Sequence, residues 1–143
     1  MAGKLFIRRR DGRIEVRLNE YGRTVVRAAF RNVVAAEHDP NHEWHTSLTS
    51  PIDPSLDQDN PLSMLTRQNE TATNAELASL TADEDFLTEA EAWSWLTTLQ
   101  VALRSTAQAH GLMSDEHFAQ ADADLVDSVR TLQQFLFQLA DCL

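Results

Sequence analysis

Glycine is scarce in this chain. Only Gly3, Gly12, Gly22 and Gly111 occur among 143 residues, and no two are close. Phosphate cradles need clustered glycines, so a Walker loop and a dinucleotide-binding loop are excluded. There is one cysteine, Cys142, so no internal disulfide can form, and a reducing compartment fits. No apolar run approaches the roughly 18 residues of a membrane span. The start of the chain, with only Leu5, Phe6 and Ile7 in an unbroken apolar row, lacks the core of a signal peptide. A cytoplasmic protein is the expectation. No G-x-S-x-G elbow and no patterned Cys–His pair is present, so no catalytic residue is assigned. Asp53, Asp57 and Asp59 lack the glycine of a calcium loop and run into Pro61. No cofactor and no metal is expected.

The strongest pattern lies between Thr88 and Leu143. Thr88 followed by Glu91 is a capping box, in which each side chain bonds the other residue's amide. Apolar residues then recur at Ala92, Leu96, Leu99, Leu103 and Ala107 as far as His110, with helical spacing. Gly111 stops this helix. Ser114 caps a second, with the stripe Phe118, Ala121, Leu125, Val129, Leu132, Leu136, Leu139 and Leu143. The short connection between them demands antiparallel neighbours. Trp93, Trp95 and Val101 on the first helix, and Val126, Phe135 and Phe137 on the second, widen each stripe beyond what one neighbour covers.

Ahead of this pair, residues 5–18 read as a β-hairpin around Asp11-Gly12, a turn signal of the two-residue type. That turn pairs Arg10 with Arg13, Arg8 with Glu15, Ile7 with Val16 and Leu5 with Leu18. It sends Leu5, Ile7, Ile14, Val16 and Leu18 inward and leaves Phe6 on the solvated face. Asn19 caps a helix over 19–36 with a core stripe of Tyr21, Val25, Ala28, Ala29 and Val33, widened by Val26, Phe30 and Val34. All four prolines lie in 38–61, which reads as irregular apart from a short helix after Pro40. Short helices follow within 61–80, one from Pro61 and one from Asn74 to Leu80. One domain is expected over 1–143, a length that buries about two-thirds of the unfolded surface. The fold class is α+β, mostly α: an N-terminal β-hairpin packed on a helical bundle with a long antiparallel helix pair, 88–110 and 114–142.

Charge is uneven. Residues 1–31 hold nine basic side chains against three acidic ones, +6, whereas the remaining residues carry −16. The basic end either docks on the chain's own acidic body or meets an acidic partner. Arg23, Arg27 and Arg31, four apart, form a ridge that is either solvated or able to bind anions. His38, His42 and His45 have spacings that a zinc site could use on an unbroken helix, but Pro40 interrupts it, and a polar loop is the expectation. Trp44, in the same segment, either docks on the core or awaits a partner.

The stretch Gly12-Arg13-Ile14-Glu15-Val16-Arg17-Leu18, the Glu-Ala-Glu-Ala-Trp core of Thr88–Leu103, the Asp39-Pro40 and Asp53-Pro54 steps and the closing helix through Leu132 and Leu136 together resemble an actinobacterial family of unknown function. Genes of that family often lie beside the gene for the ClpS adaptor of the Clp protease. The resemblance covers most of the chain, with 60–85 the divergent part. It implies an accessory role near proteolysis and supplies no catalytic residues; some members carry the label of regulators. A non-enzymatic interaction protein is therefore expected, binding a protein partner or a second copy through helical surface. The candidate contacts are Arg23, Arg27, Arg31, Trp44, Val126, Phe135 and Phe137. The alternative is a transcriptional regulator that binds DNA through its basic hairpin and first helix.

Overall fold

The computed structural model of the chain describes residues 4–39, 41, 42, 44, 61–109 and 123–143. The Gly111 turn, the Ser114 cap, His45, His110, Phe118 and most of 38–61 lie outside the described residues. The described elements run in the order β1 (Phe6–Arg8), β2 (Ile14–Val16), α1 (Glu20–His38), α2 (Pro61–Leu80), β3 (Phe86–Leu87), α3 (Glu89–Ala109) and α4 (Ala123–Cys142). The α+β, mostly α class holds: the described residues form four helices and a three-stranded antiparallel sheet, β1-β2-β3, which touches α3 and α4.

The hairpin is real, but its register is one residue off the expected one. Gly12 N donates to Arg9 O at 3.0 Å and Arg9 N to Arg13 O at 2.8 Å, so three residues, Arg10 to Gly12, form the loop. Gly12 sits at φ +91°, the left-handed position that closes such a loop. The pairs are therefore Phe6↔Val16, Ile7↔Glu15 and Arg8↔Ile14. Because side chains alternate along a strand, this slip reverses both faces of β1. Phe6 is 1% exposed and belongs to the core, while Ile7 moves to the outer face.

Trp95 is the hub of that core. It is fully buried, edge-on to Phe6 at 6.3 Å and to Phe30 at 5.1 Å, and its indole N–H donates to Thr81 Oγ1 at 2.8 Å. A buried indole needs such a partner, and edge-on aromatic pairs are favoured by their quadrupoles. Ile14, Val16 and Leu87 from the sheet, Val26 and Val33 from α1, Leu99 from α3 and Leu132 and Leu139 from α4 complete the packing.

The expected caps form. Asn19 Oδ1 accepts from Gly22 N at 2.8 Å. Thr88 N donates to Glu91 Oε1 at 2.8 Å, and Glu91 N to Thr88 Oγ1 at 3.2 Å, closing the capping box. The phase of α1 differs, however. Its buried side is Gly22, Arg23, Val26, Ala29, Phe30, Val33 and Ala36, and Tyr21, expected in the stripe, is 58% exposed. Two overlapping stripes compete on this helix. The one with Phe30 buries a wholly apolar ring, whereas burying Tyr21 would also strand a hydroxyl.

Residues 61–80 form one continuous helix rather than two short ones. Over residues 70–80, where its side chains are described, the buried apolar residues are the small Ala75 and Ala78. Alanine is nevertheless the best helix former and lets helices approach closely. Helix α2 packs on α1 and α3, and Asn74 Oδ1 accepts from Ser94 Oγ at 2.8 Å. The far side of α3, with Ser94, Thr98, Val101, Ala102 and Ser105 buried, is therefore occupied. Part of the surplus width of that helix goes to α2 within the same chain, while Trp93 stays 47% exposed.

Strand β3, unforeseen from the sequence, pairs Leu87 with Ile14 and Phe86 with Glu15. The Arg8 guanidinium donates to Cys142 O at 3.0 Å and to Glu89 Oε2 at 3.2 Å. One side chain thus touches the end of α4 and the start of α3, so these two packed helices run antiparallel, as expected.

Candidate functional site

The three arginines of α1 do not form one surface. Arg23 is 8% exposed and donates to the carbonyl oxygens of Ala82 (3.0 Å), Glu84 (2.9 Å) and Val16 (3.5 Å), and to Asp85 Oδ1 (3.2 Å). Arg27 reaches Asp83 Oδ1 at 2.7 Å and Glu20 Oε1 at 3.4 Å. These bonds, led by the one to Asp83, hold the Arg27 guanidinium even more firmly protonated than usual. Only Arg31 stands clear at the surface. The helical half of the basic segment is mostly bonded to the chain's own acidic turn, 81–85.

Of the apolar candidates, Trp44 is 6% exposed and part of the core. Its backbone N–H donates to His42 Nδ1 at 3.1 Å, with the two rings edge-on at 5.7 Å. Phe135 is buried against Gly22, a site where an added Cβ would stand 3.3 Å from the phenyl ring. Val126 is half-buried, and Phe137 is 65% exposed on the outer side of α4. Among the described residues no group of three His, Cys, Asp or Glu lies close enough to hold a metal ion, and no helix is long and apolar enough to cross a membrane.

A groove of about 450 Å³ runs between β1 and the end of α4, lined by Lys4, Ile7, Gln138 and Cys142 among others. Here α4 covers the edge of the sheet. Gln138 Oε1 accepts from Leu5 N at 2.9 Å, and Cys142 Sγ lies 3.2 Å from Phe6 O. Burial raises the Cys142 thiol pKa, against a smaller opposing effect of the Arg8 backbone amide. The thiol acts here as a weak hydrogen-bonding cap on an edge strand, which is how an exposed edge is kept from pairing with other chains.

No described helix covers the other face of the sheet. Strand alternation places Ile7, Arg9, Arg13, Glu15, Arg17 and Phe86 on the side away from the helices. Glu15 Oε2 accepts from both Arg9 Nη2 and Arg17 Nε, each at 2.8 Å. Partial burial works to raise the Glu15 pKa, but these two bonds outweigh it and leave the carboxyl below its ordinary value. Arg13 donates through Nε to Asp11 Oδ2 at 2.8 Å, and its guanidinium lies 4.6 Å from the centre of the Phe86 ring. The backbone amide of Arg13, and then its side chain, hold the Asp11 pKa down. The result is a small platform with half-buried Ile7 and 38%-exposed Phe86 framed by three fixed guanidiniums.

Compared with protein-family models, curated proteins and solved structures, the chain matches none.

The contact residues expected from the sequence lie on helices and at Trp44; the hairpin entered that expectation only through its basic charge, as a surface for the chain's own acidic body, an acidic partner or DNA. The alternation of Arg13, Glu15 and Arg17 carries the signal for one strand. The register of β1 and the existence of β3, which bring Ile7 and Phe86 alongside, do not show in the local pattern.

Proposed function

We propose that this chain is a non-enzymatic interaction protein of the cytoplasm that works by binding another protein. The observation that carries this reading is the sheet face that no described helix covers, where apolar side chains and arginines held by Glu15 and Asp11 stand together. Apolar anchors ringed by arginine are typical of recognition surfaces, because the anchor is desolvated while the guanidinium supplies directed bonds. Single exposed aromatics on the helices, Phe137 and Trp93, are too isolated to outweigh it. The resemblance to a family encoded near ClpS makes proteolytic machinery the first place to look for the partner.

The regulator reading draws on the same hairpin arginines. It is weakened by the burial of Arg23 and by a net charge of −10, which repels a polyanion. Affinity capture with the tagged chain, followed by binding of each captured protein to purified chain, tests the proposal. A stoichiometric protein complex supports it. Retention on DNA with a steep salt slope, and no protein complex, would replace it with the regulator. Sedimentation equilibrium of the chain alone tells whether that protein is a second copy.

A further inference from the structure

We infer that the outer face of the sheet is a docking surface for a short acidic protein segment that also carries an apolar side chain. The inference rests on the interaction reading and goes further by naming the face and the chemistry of its occupant. The charge of this region is the first reason. Residues 4–17 hold six basic side chains against Asp11 and Glu15, while the rest of the chain carries a net −14. The two acids present are already shared. Glu15 is bonded to two arginines and Asp11 to a third, so on this face three guanidiniums meet two carboxylates and one positive charge is left over; Arg8 turns to the helix side and is bonded to Glu89.

The second reason is order. A guanidinium has five N–H groups. Arg9 uses Nη2, and Arg13 and Arg17 each use Nε, in the bonds that fix them. The remaining N–H groups are free to meet carboxylates, and side chains already held in place lose less entropy on binding. Ile7 and Phe86 stand on the two outer strands, one on each side of Glu15, and either gives an apolar residue somewhere to dock.

The third reason is size. Strands of two or three residues span about 10 Å, and three strands spaced about 4.8 Å apart span about the same. Three or four extended residues of a peptide cover that platform. A nucleic acid would continue past it, carrying a charge about every 1.7 Å along a duplex over the acidic remainder of the chain. Screening over about 8 Å does not hide that repulsion at such short range. A short acidic segment meets the positive patch and leaves the negative body untouched.

The test is a titration of the full, isotope-labelled chain, followed through backbone amide signals. The probes are a blocked hexapeptide of alternating Glu and Leu, its Lys–Leu counterpart and a thymidine hexanucleotide. The Glu–Leu peptide is expected to shift the amides of Ile7, Glu15 and Phe86, with binding that weakens about tenfold in the Arg9→Glu/Arg17→Glu variant, as loss of complementary charge requires. Because that variant alters the hairpin, Phe86→Ser provides a second measure; it leaves Arg9 and Arg17 on Glu15, takes the ring from beside Arg13, and should weaken the same peptide about fivefold by removing an apolar anchor. The Lys–Leu peptide should leave those amides unmoved. The inference falls if the Glu–Leu peptide leaves them unmoved, if the Lys–Leu peptide binds as well, or if the oligonucleotide occupies them more tightly. It also falls if raising the protein concentration alone shifts them, which would put a second copy there. A captured protein that still binds Arg9→Glu/Arg17→Glu would remove this face and leave the interaction reading standing.

Discussion

Arg17 and Arg23 are six residues apart in the same basic run, and the fold uses them oppositely. Arg23 is drawn inside to the carbonyl groups of Ala82 and Glu84, in the turn between α2 and β3. Arg17 stays outside and bonds to Glu15 on its own strand. The difference lies in the backbone each one meets. A turn leaves carbonyl oxygens without ladder partners, and buried ones must be satisfied by some donor. Most carbonyls of the hairpin strands are met by ladder partners, so Arg17 finds no such demand and bonds a side chain on its own strand. A run of like charges in a sequence is therefore not one feature. Its members divide according to which nearby peptide groups lack partners.

The comparison can be put on a scale with a purely apolar interior residue. Leu99 is fully buried, and Leu99→Ala should cost about 2–5 kcal/mol in urea unfolding, through lost transfer energy and a cavity. Arg23→Met should cost somewhat less, about 2–3 kcal/mol, because it keeps the packed stem but strands the carbonyls of Ala82 and Glu84. A cost near zero for Arg23→Met would mean that water replaces the guanidinium, and the contrast between inside and outside would dissolve. Arg17→Ala should cost under about 1 kcal/mol, as exposed ion pairs do. A larger loss would show that the hairpin arginines hold the fold together and are not available for binding.

The parts of the fold that were legible in the sequence are those written in neighbouring residues. The Asn19 cap and the box of Thr88 with Glu91 are local, and both appear; the turn at Asp11-Gly12 is in its place but takes in Arg10 as a third loop residue. The two closing helices were legible because Leu99, Leu132 and Leu139 repeat over many turns. What failed was set by distant partners. One extra loop residue exchanged Phe6 for Ile7 at the core, a choice settled by Trp95 lying under the sheet. Helix α2 was divided because the buried apolar residues of its second half are Ala75 and Ala78, which are apolar in packing but weak in pattern. Strand β3 is two residues long and exists only because β2 offers it an edge. The candidate platform needs the true register and β3 together, which is why its residues were dispersed in the sequence reading.

The smallest effect is the most specific to the outer arginines. The Glu15 carboxyl has its pKa depressed in the folded chain by Arg9 and Arg17, despite the opposing effect of partial burial. A group whose folded pKa lies below its unfolded one favours the fold in its charged form. Its contribution is present at pH above the ordinary glutamate value and is lost as pH falls through the folded one. Glu15→Gln removes this group while leaving the other carboxylates to titrate as before. The stability difference between the parent chain and Glu15→Gln should therefore be present at neutral pH and shrink as the solution is acidified below the ordinary glutamate range. Urea unfolding of both proteins across that range measures it. A difference that stays constant would mean that Arg9 and Arg17 are not held by Glu15, and the outer arginines would lose the order that separates them from ordinary surface charge.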